Sequence, residues 1–327
     1  MKVLVAGGAG YVGSHCVRRL VAGGHDVTVY DNLCAGHAKA VPDGTALVQA
    51  DLADLTKLER TLAGGFDAVM HFAAFLDVGE SVREPLKYYE NNICATIGLL
   101  KLMEKHGVRR MVFSSTCATY GEPAKMPITE DMPQSPINPY GHTKLAIEWA
   151  LRDSAVAWKL GSCALRYFNA AGAASDGSIG EDHSPEIHLI PIVLQVALEQ
   201  RERVSIYGTD YPTPDGTCIR DYIHMEDLAE AHLLALEALE AGRFDAYNVG
   251  TGVGTSVREI IEAAREITGH PIPAVETARR PGDPPMLYAD PTKIKTALGW
   301  EPKYTNIRDT IATAWRWHKS HPKGYRT

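Results

Sequence analysis

The stretch Lys2-Val3-Leu4-Val5-Ala6-Gly7-Gly8-Ala9-Gly10-Tyr11-Val12-Gly13 decides the fold. Its short β-branched run predicts a buried strand, and the glycines that follow predict a tight turn into a helix over 11–21. Two spacings overlap in the turn, Gly8-x-Gly10-x-x-Gly13 and Gly7-x-x-Gly10-x-x-Gly13. Glycine there permits the turn itself, close backbone approach to a pyrophosphate, and close packing of helix on sheet. The anion then meets the positive end of a helix. Asp31 stands 18 residues beyond Gly13, at the end of the second predicted strand. A carboxylate in that place accepts hydrogen bonds from an adenosine ribose and repels a 2′-phosphate, which selects NAD over NADP.

Working outward, further strands are expected over 26–30, 46–49, 68–71 and 111–114, with helices over 54–62, 81–106 and 139–159. A sixth strand is expected over 163–168. This alternation predicts the α/β class, a doubly wound parallel sheet of buried strands. After Asn169 the texture changes. Segments 170–184 and 208–217 are rich in glycine, proline and small polar residues and read as ordered loops, while 187–200, 225–241, 256–268 and 306–318 read as helices. The expected organisation is a Rossmann-type NAD-binding domain over 1–170, to which segments near 218–250 return, and a smaller α/β substrate lobe over most of 171–327. That lobe would lie over the carboxyl ends of the strands, where open α/β sheets bind ligands.

Composition narrows the partners. The 327 residues carry a net charge of −7 with 45% hydrophobic content, which argues against nucleic acid and anionic membrane surfaces. No apolar run reaches the length of a membrane span. The first residues run straight into a strand and lack a signal peptide's hydrophobic region, so the expected compartment is the cytosol. Six cysteines (Cys16, Cys34, Cys94, Cys117, Cys163, Cys218) are scattered without a Cys-x-x-Cys pair. They read as reduced packing residues, and no metal site is expected.

Two further stretches carry chemistry. Tyr140-Gly141-His142-Thr143-Lys144 lies in a predicted helix, which puts a phenol and an ammonium one turn apart on one face. A cation beside a tyrosine favours the phenolate and makes it a usable base. The spacing alone is common in a chain with 14 tyrosines, so it takes its meaning from the cofactor turn. Ser114-Ser115-Thr116 ends the fifth predicted strand, an address from which a hydroxyl can reach a substrate oxygen in the cofactor crevice. His71 reads as a packed histidine, whereas Asp51 follows the third strand and could face the adenine.

With these residues in view, the chain resembles the extended short-chain dehydrogenase/reductases, and within them the branch that epimerises UDP-sugars at carbon 4. The resemblance rests on the glycine turn, Asp31-Asn32-Leu33, His71-Phe72-Ala73-Ala74, Val78-Gly79-Glu80-Ser81, Asn91-Asn92 and Phe113-Ser114-Ser115-Thr116. It continues through Pro139-Tyr140-Gly141, Lys144, Leu165-Arg166-Tyr167-Phe168-Asn169 and Arg220-Asp221-Tyr222-Ile223-His224. It implies Tyr140 as the base for the sugar's 4-hydroxyl, Lys144 as its cation and ribose contact, and Thr116 on the same sugar oxygen. For NAD it implies Gly7, Gly10, Tyr11, Val12, Gly13, Asp31, Asn32 and Leu33. Asp51, Leu52, Phe72, Ala73, Ala74, Asn91, Ser114 and Phe168 complete that set, with Tyr140 and Lys144. For the UDP-sugar it implies Asn169, His188, Leu189, Ser205, Ile206 and Tyr207, then Arg220, Arg280, Asp283 and Leu287, beside Thr116 and Tyr140. It also implies a homodimer built on helices near 88–105 and 148–159.

Three departures bear on function. Dehydratases of the superfamily carry an acid pair after the threonine, where this chain has Cys117 and Ala118, so elimination of water is disfavoured. Leu76 stands where some epimerases have a lysine near the cofactor. Leu287, or Met286 if the register is off by one, stands where a bulky residue excludes N-acetylated sugars, so UDP-N-acetylhexosamines and UDP-pentoses stay open. An NAD-binding regulator without catalysis is the remaining alternative, and it has no use for Tyr140, Lys144 and Thr116 together.

Overall fold

The computed structural model of the chain describes residues 1–280 and 282–326; Pro281, inside the expected 279–283 segment, lies outside the described residues. The first half supplies strands β1 (Lys2–Ala6), β2 (Asp26–Asp31), β3 (Ala46–Gln49), β4 (Ala68–His71), β5 (Arg110–Thr116) and β6 (Gly161–Tyr167). The second half supplies β7 (Asn169–Ala171), β8 (Val204–Tyr207), β9 (Ile219–His224), β10 (Phe244–Val249), β11 (Gly254–Ser256), β12 (Ala274–Thr277) and β13 (Met286–Leu287).

Seven strands form one parallel sheet in the order β10-β6-β5-β4-β1-β2-β3. Chain order runs outward in both directions from the β1–β4 pair. A crevice therefore opens at the carboxyl ends of β1 and β4, the switch point where such sheets bind nucleotides. Alternation within β1 sorts the core. Val3 and Val5 face one layer with Val17, Leu20, Leu228 and Leu236 from the helices Tyr11–Ala22 and Met225–Glu237. Leu4 and Ala6 face the other with Leu58, Leu99, Met103, Ile147 and Leu151.

The smaller lobe has its own core. Ile190, Val193 and Leu194 of the helix Leu189–Ala197 pack with Ile206, Ile260, Ile261 and Ile311 beneath the parallel pair β8–β12. Strand β9 joins the lobes, pairing with β7, β11 and β13.

The expected helix over 81–106 is four pieces: Val78–Arg83, Pro85–Tyr88, a wide π-helical turn over Tyr89–Cys94, and Ala95–Lys105. Pro85 lacks an N–H and cannot continue the helix before it. The wide turn buries Asn92, whose amide accepts from the Phe75 N–H at 2.9 Å and donates to the Phe75 carbonyl at 3.1 Å. This clamps the chain after β4 against the helix Pro139–Trp158, because Asn92 also donates to Thr143 Oγ1 at 3.2 Å. The expected loop over 170–184 begins with strand β7, and the helix expected from 187 starts at Leu189.

Candidate active site

The glycine turn is closed on one side and open on the other. Gly7 has φ +80°, and a Cβ there would lie 2.4 Å from the Ala73 nitrogen. At Gly13 a Cβ would lie 2.1 Å from the Gly7 carbonyl oxygen, so neither position accepts a side chain. At Gly10 the nearest atom would be the Gly7 oxygen at 3.5 Å, an ordinary contact. The helix Tyr11–Ala22 starts from Gly10 with no side-chain cap and no acid in its first turn. An uncapped, accessible helix N-terminus fits the diphosphate of a dinucleotide.

Asp31, at the end of β2, is 8% exposed and accepts from the Ala9 N–H at 2.9 Å and the Leu33 N–H at 2.8 Å. It thus fixes the turn as well as offering its remaining lone pairs to the crevice. Leu33 sits in the left-handed region at φ +61°, a costly conformation for leucine that Asp31 holds in place. Asn32 donates to Asp51 Oδ2 at 2.8 Å, which ties the ends of β2 and β3 together. Leu52 is packed into the core and offers only backbone. Phe72 and Ala73 both donate backbone N–H groups to the Ala6 carbonyl, while Ala74 follows in the chain leaving β4. Asn91 donates to Asn92 and stays half-buried, and Leu76 is 45% exposed. His71 is buried against Thr96 at 2.7 Å, and burial pulls its pKa down to about 3, so it is a neutral packing residue as expected.

At the end of β5 the catalytic candidates meet. Asn138 caps the helix Pro139–Trp158 by accepting from the Gly141 N–H, which fixes where Tyr140 leaves the first turn. Gly141 is needed because a Cβ there would fall 2.7 Å from the Ala118 carbonyl oxygen. Thr116 lies close enough to the Tyr140 phenol to oppose part of the rise in its pKa, and Lys144 Nζ lies 5.8 Å from the Tyr140 ring centroid. Lys144 is buried, donates to the Ser114 carbonyl at 2.8 Å, and sits 4.9 Å from the Phe113 ring centroid. Burial pushes the Tyr140 phenol up to about 12, opposed by Thr116, and pulls Lys144 down to about 7, opposed by Glu148. Burial thus opposes charge on both groups.

Several neighbours were given no role from sequence. Tyr167 shares a 2.5 Å hydrogen bond with Ser114 and lies close enough to Tyr140 to interact electrostatically with it. Glu148, one turn beyond Lys144, accepts from Ser115 Oγ at 2.6 Å and from Arg166 at 3.0 and 2.6 Å. Arg166 donates on to Tyr120 at 2.7 Å, and Tyr120 to Asn248 at 2.8 Å. This buried network braces the floor of β5 and β6 beneath the Tyr140–Thr116 pair.

The substrate candidates fall around β9. Asn169 donates to the Asp221 carbonyl at 3.3 Å, and Phe168 packs with Tyr120, Cys117 and Leu287. Arg220 forms an ion pair with Asp283, and Leu287 is its register partner on β13. The Arg280 guanidinium stacks 3.9 Å from the ring centroid of Tyr207. Ser205 is half-buried on β8, but Ile206 is 4% exposed and belongs to the lobe's core, so only its backbone is available. Leu189 opens a helix and packs against that core, and the preceding His188 is drawn into a cluster with Glu181, His183 and Glu186. Among the described residues no helix is long and apolar enough to cross a membrane.

Sheet order, glycine turn and the Tyr–Lys helix together define a nucleotide-binding enzyme fold. The chain belongs to the NAD dependent epimerase/dehydratase family, whose model matches residues 3–250. It is 55% identical to the UDP-glucose 4-epimerase of Halalkalibacterium halodurans over 329 aligned positions, covering 100% of this chain and 98% of that protein. Among solved structures, UDP-glucose 4-epimerase from Brucella ovis in complex with NAD superposes with a TM-score of 0.92 at 48% identity, over 96% of this chain and 97% of that one. The Bifidobacterium longum UDP-glucose 4-epimerase in complex with NAD+ and UDP gives 0.95 at 39% identity, over 99% and 100%.

Proposed function

We propose that this protein is an NAD-dependent UDP-glucose 4-epimerase, inverting carbon 4 of UDP-galactose and UDP-glucose reversibly through a 4-keto sugar. The carrying observation is the convergence of Thr116, Tyr140 and Lys144 at the end of β5, beside the uncapped helix of the glycine turn. NAD, when bound, supplies a hydride acceptor that is restored within each turnover.

The chain's own residues supply the rest. Gly7, Gly10, Tyr11, Val12 and Gly13 hold the diphosphate of NAD, and Asp31 with Asn32 and Leu33 its adenosine ribose. Tyr140 takes the proton from the 4-hydroxyl and later returns it, while Thr116 bonds the same oxygen. Burial raises the phenol's pKa, so its ionisation depends on cationic character beside it from Lys144 and from the nicotinamide ring that NAD would supply. Arg220, once released from Asp283, pairs a phosphate of the UDP group, and Asn169, Arg280 and Asp283 hold the remainder. A firm nucleotide anchor lets the sugar turn over in a loose pocket and present its other face.

Elimination of water is disfavoured by the residues after Thr116. Burial raises the Cys117 thiol to about 12, and Ala118 has no titrating group, so neither can serve as the acid or base of a dehydratase. We further propose that residues 1–170, with the returning 218–250 segments, hold NAD and that the smaller lobe holds the UDP-sugar. A homodimer is supported by Trp149 and Val156, 55% and 74% exposed and seven residues apart on one face of the helix Pro139–Trp158. The proposed compartment is the cytosol.

The test is conversion of UDP-galactose by the purified protein without added NAD, followed by NMR. UDP-glucose is the expected product. A 4-keto-6-deoxy product would support dehydration instead, and no turnover with NAD and other UDP-sugars supplied would support a regulatory role.

A further inference from the structure

The segment Glu181-Asp182-His183-Ser184-Pro185-Glu186-Ile187-His188 folds so that four potential metal donors face a common point. One atom each from Glu181, His183, Glu186 and His188 lies within 4.8 Å of every other. The two carboxylate side chains are 5% and 3% exposed, and the imidazoles 17% and 37%. Glu181 Oε1 is 3.2 Å from His183 Nδ1 and 2.9 Å from His188 Nδ1. His183 Nδ1 is 3.7 Å from Glu186 Oε2. Four donors around a tetrahedral zinc ion, with bonds near 2.05 Å, are separated by about 3.3 Å. The contacts already bracket that spacing.

Hydrogen bonding leaves this centre unsatisfied. Glu181 Oε1 and His183 Nδ1 are both buried and neither has a hydrogen-bond partner, although they approach each other closely. Both atoms border the space between the four donors. Glu186 behaves differently at its two oxygens. Oε1 accepts from the Ile187 and His188 backbone N–H groups at 2.9 and 2.8 Å, which orients the carboxylate and leaves Oε2 for the centre. The bond from His188 Nδ1 to Glu186 Oε1, at 2.9 Å, is the one a cation would replace. Among charged groups in this cluster, two carboxylates balance a divalent ion when both imidazoles are neutral ligands.

We infer that Glu181, His183, Glu186 and His188 form a four-coordinate site for one zinc-class divalent cation. The site is closed by protein ligands, which is the arrangement of a structural rather than a hydrolytic zinc. Its position gives the metal a job. The ring of Tyr11, from the helix that opens at the glycine turn, stacks edge-on against His183 at 6.1 Å, and Tyr11 donates to the Gly172 carbonyl at 2.5 Å. On the other side His188 leads directly into the helix Leu189–Ala197 of the smaller lobe. A bound cation would therefore pin the junction between the cofactor layer and the substrate lobe, and would commit His188 Nδ1 to that junction.

The experiment uses the full chain, stripped with a strong chelator and titrated with Zn2+ by calorimetry and elemental analysis. The expected result is one zinc per chain, a visible d–d spectrum of a four-coordinate centre when Co2+ is used instead, and a melting temperature about 5 °C or more above the stripped protein. Glu181→Gln and His183→Gln, each checked for native circular dichroism, should each lose the stoichiometric zinc and the thermal response. If one variant does not fold, the other decides. Zinc retained in a folded variant would assign it to cysteines and overturn the inference. So would a stripped wild type that takes up no zinc and whose melting is unchanged, since the cluster would then be a buried ion-pair network only.

Discussion

Gly10 and Gly13 lie three residues apart in one turn, yet alanine at the two positions should have different consequences. At Gly13 the added carbon meets the Gly7 carbonyl oxygen at 2.1 Å and the Gly8 Cα at 2.9 Å, all of it backbone. Relief requires more than an ångström of movement between the turn and its helix, and overpacking of that kind costs about 1–3 kcal/mol or more. Helix propensity returns up to about 1 kcal/mol, so a net loss near 2 kcal/mol is expected. At Gly10 the carbon meets only the Gly7 oxygen, at 3.5 Å, and φ is −76°, which any residue adopts. Stability should therefore stay within about 1 kcal/mol of the parent. The methyl group would nevertheless occupy the open face of the turn, where a diphosphate must come close to the backbone. NAD binding is expected to weaken at least tenfold, about 1.4 kcal/mol. Thermal melting of the stripped proteins, with and without NAD, separates the two effects. Gly13→Ala should melt about 3 °C lower without ligand. Gly10→Ala should melt with the parent and lose most of the NAD-induced rise. A Gly10→Ala protein that binds NAD like the parent, or a Gly13→Ala protein as stable as it, would refute the reading of this turn.

Other expectations follow from the buried charges. Arg166→Met leaves the Glu148 carboxylate, 0% exposed, without its ion-pair partner, and should cost about 3–5 kcal/mol in urea unfolding. Removing both charges in a Glu148→Leu, Arg166→Met double variant should recover much of that loss; equal effects in single and double variants would deny the pairing. His15 and His71 are pulled down to about 3, and His224 and His232 to about 4, all chiefly by burial. In the unfolded chain these imidazoles protonate below about 6.5, so their contribution is complete above that pH and lost as pH falls towards 4. Each costs on the order of 1.4 kcal/mol per pH unit in that window. The melting temperature should fall steeply between pH 6.5 and 5, and a flat profile would contradict neutral burial. Leu287→Tyr, beside Arg220, should reduce turnover of UDP-N-acetylglucosamine relative to UDP-glucose, read as a change in the ratio of kcat/KM values.

The parts legible in the sequence were those written in local pattern. Residues 2–13 specify strand, turn and helix together, and the alternation up to Thr116 implies the parallel sheet because each strand is a short apolar run between turn signals. Merging 81–106 into one helix failed where Pro85 interrupts it and where the wide turn aims Asn92 at Phe75; neither change breaks the apolar periodicity strongly. Most strands of the smaller lobe have only two to four residues, too few for alternation to emerge. The Glu148–Arg166 pair lies 18 residues apart on a helix and a strand, so only packing brings it together. Glu181, His183, Glu186 and His188 share eight residues of sequence, but Glu181 and His183 fall in the segment read as a loop and His188 in one read as a helix, so no single local pattern joins the four.

The central claim is that Tyr140 moves the proton of the sugar's 4-hydroxyl while other residues hold the cofactor. The most direct measurement is UDP-galactose turnover by Tyr140→Phe, with bound NAD quantified in the same preparation. Loss of the base should lower kcat by about a hundredfold to ten-thousandfold with NAD per chain unchanged. Turnover near that of the parent, at equal NAD content, would contradict the assignment.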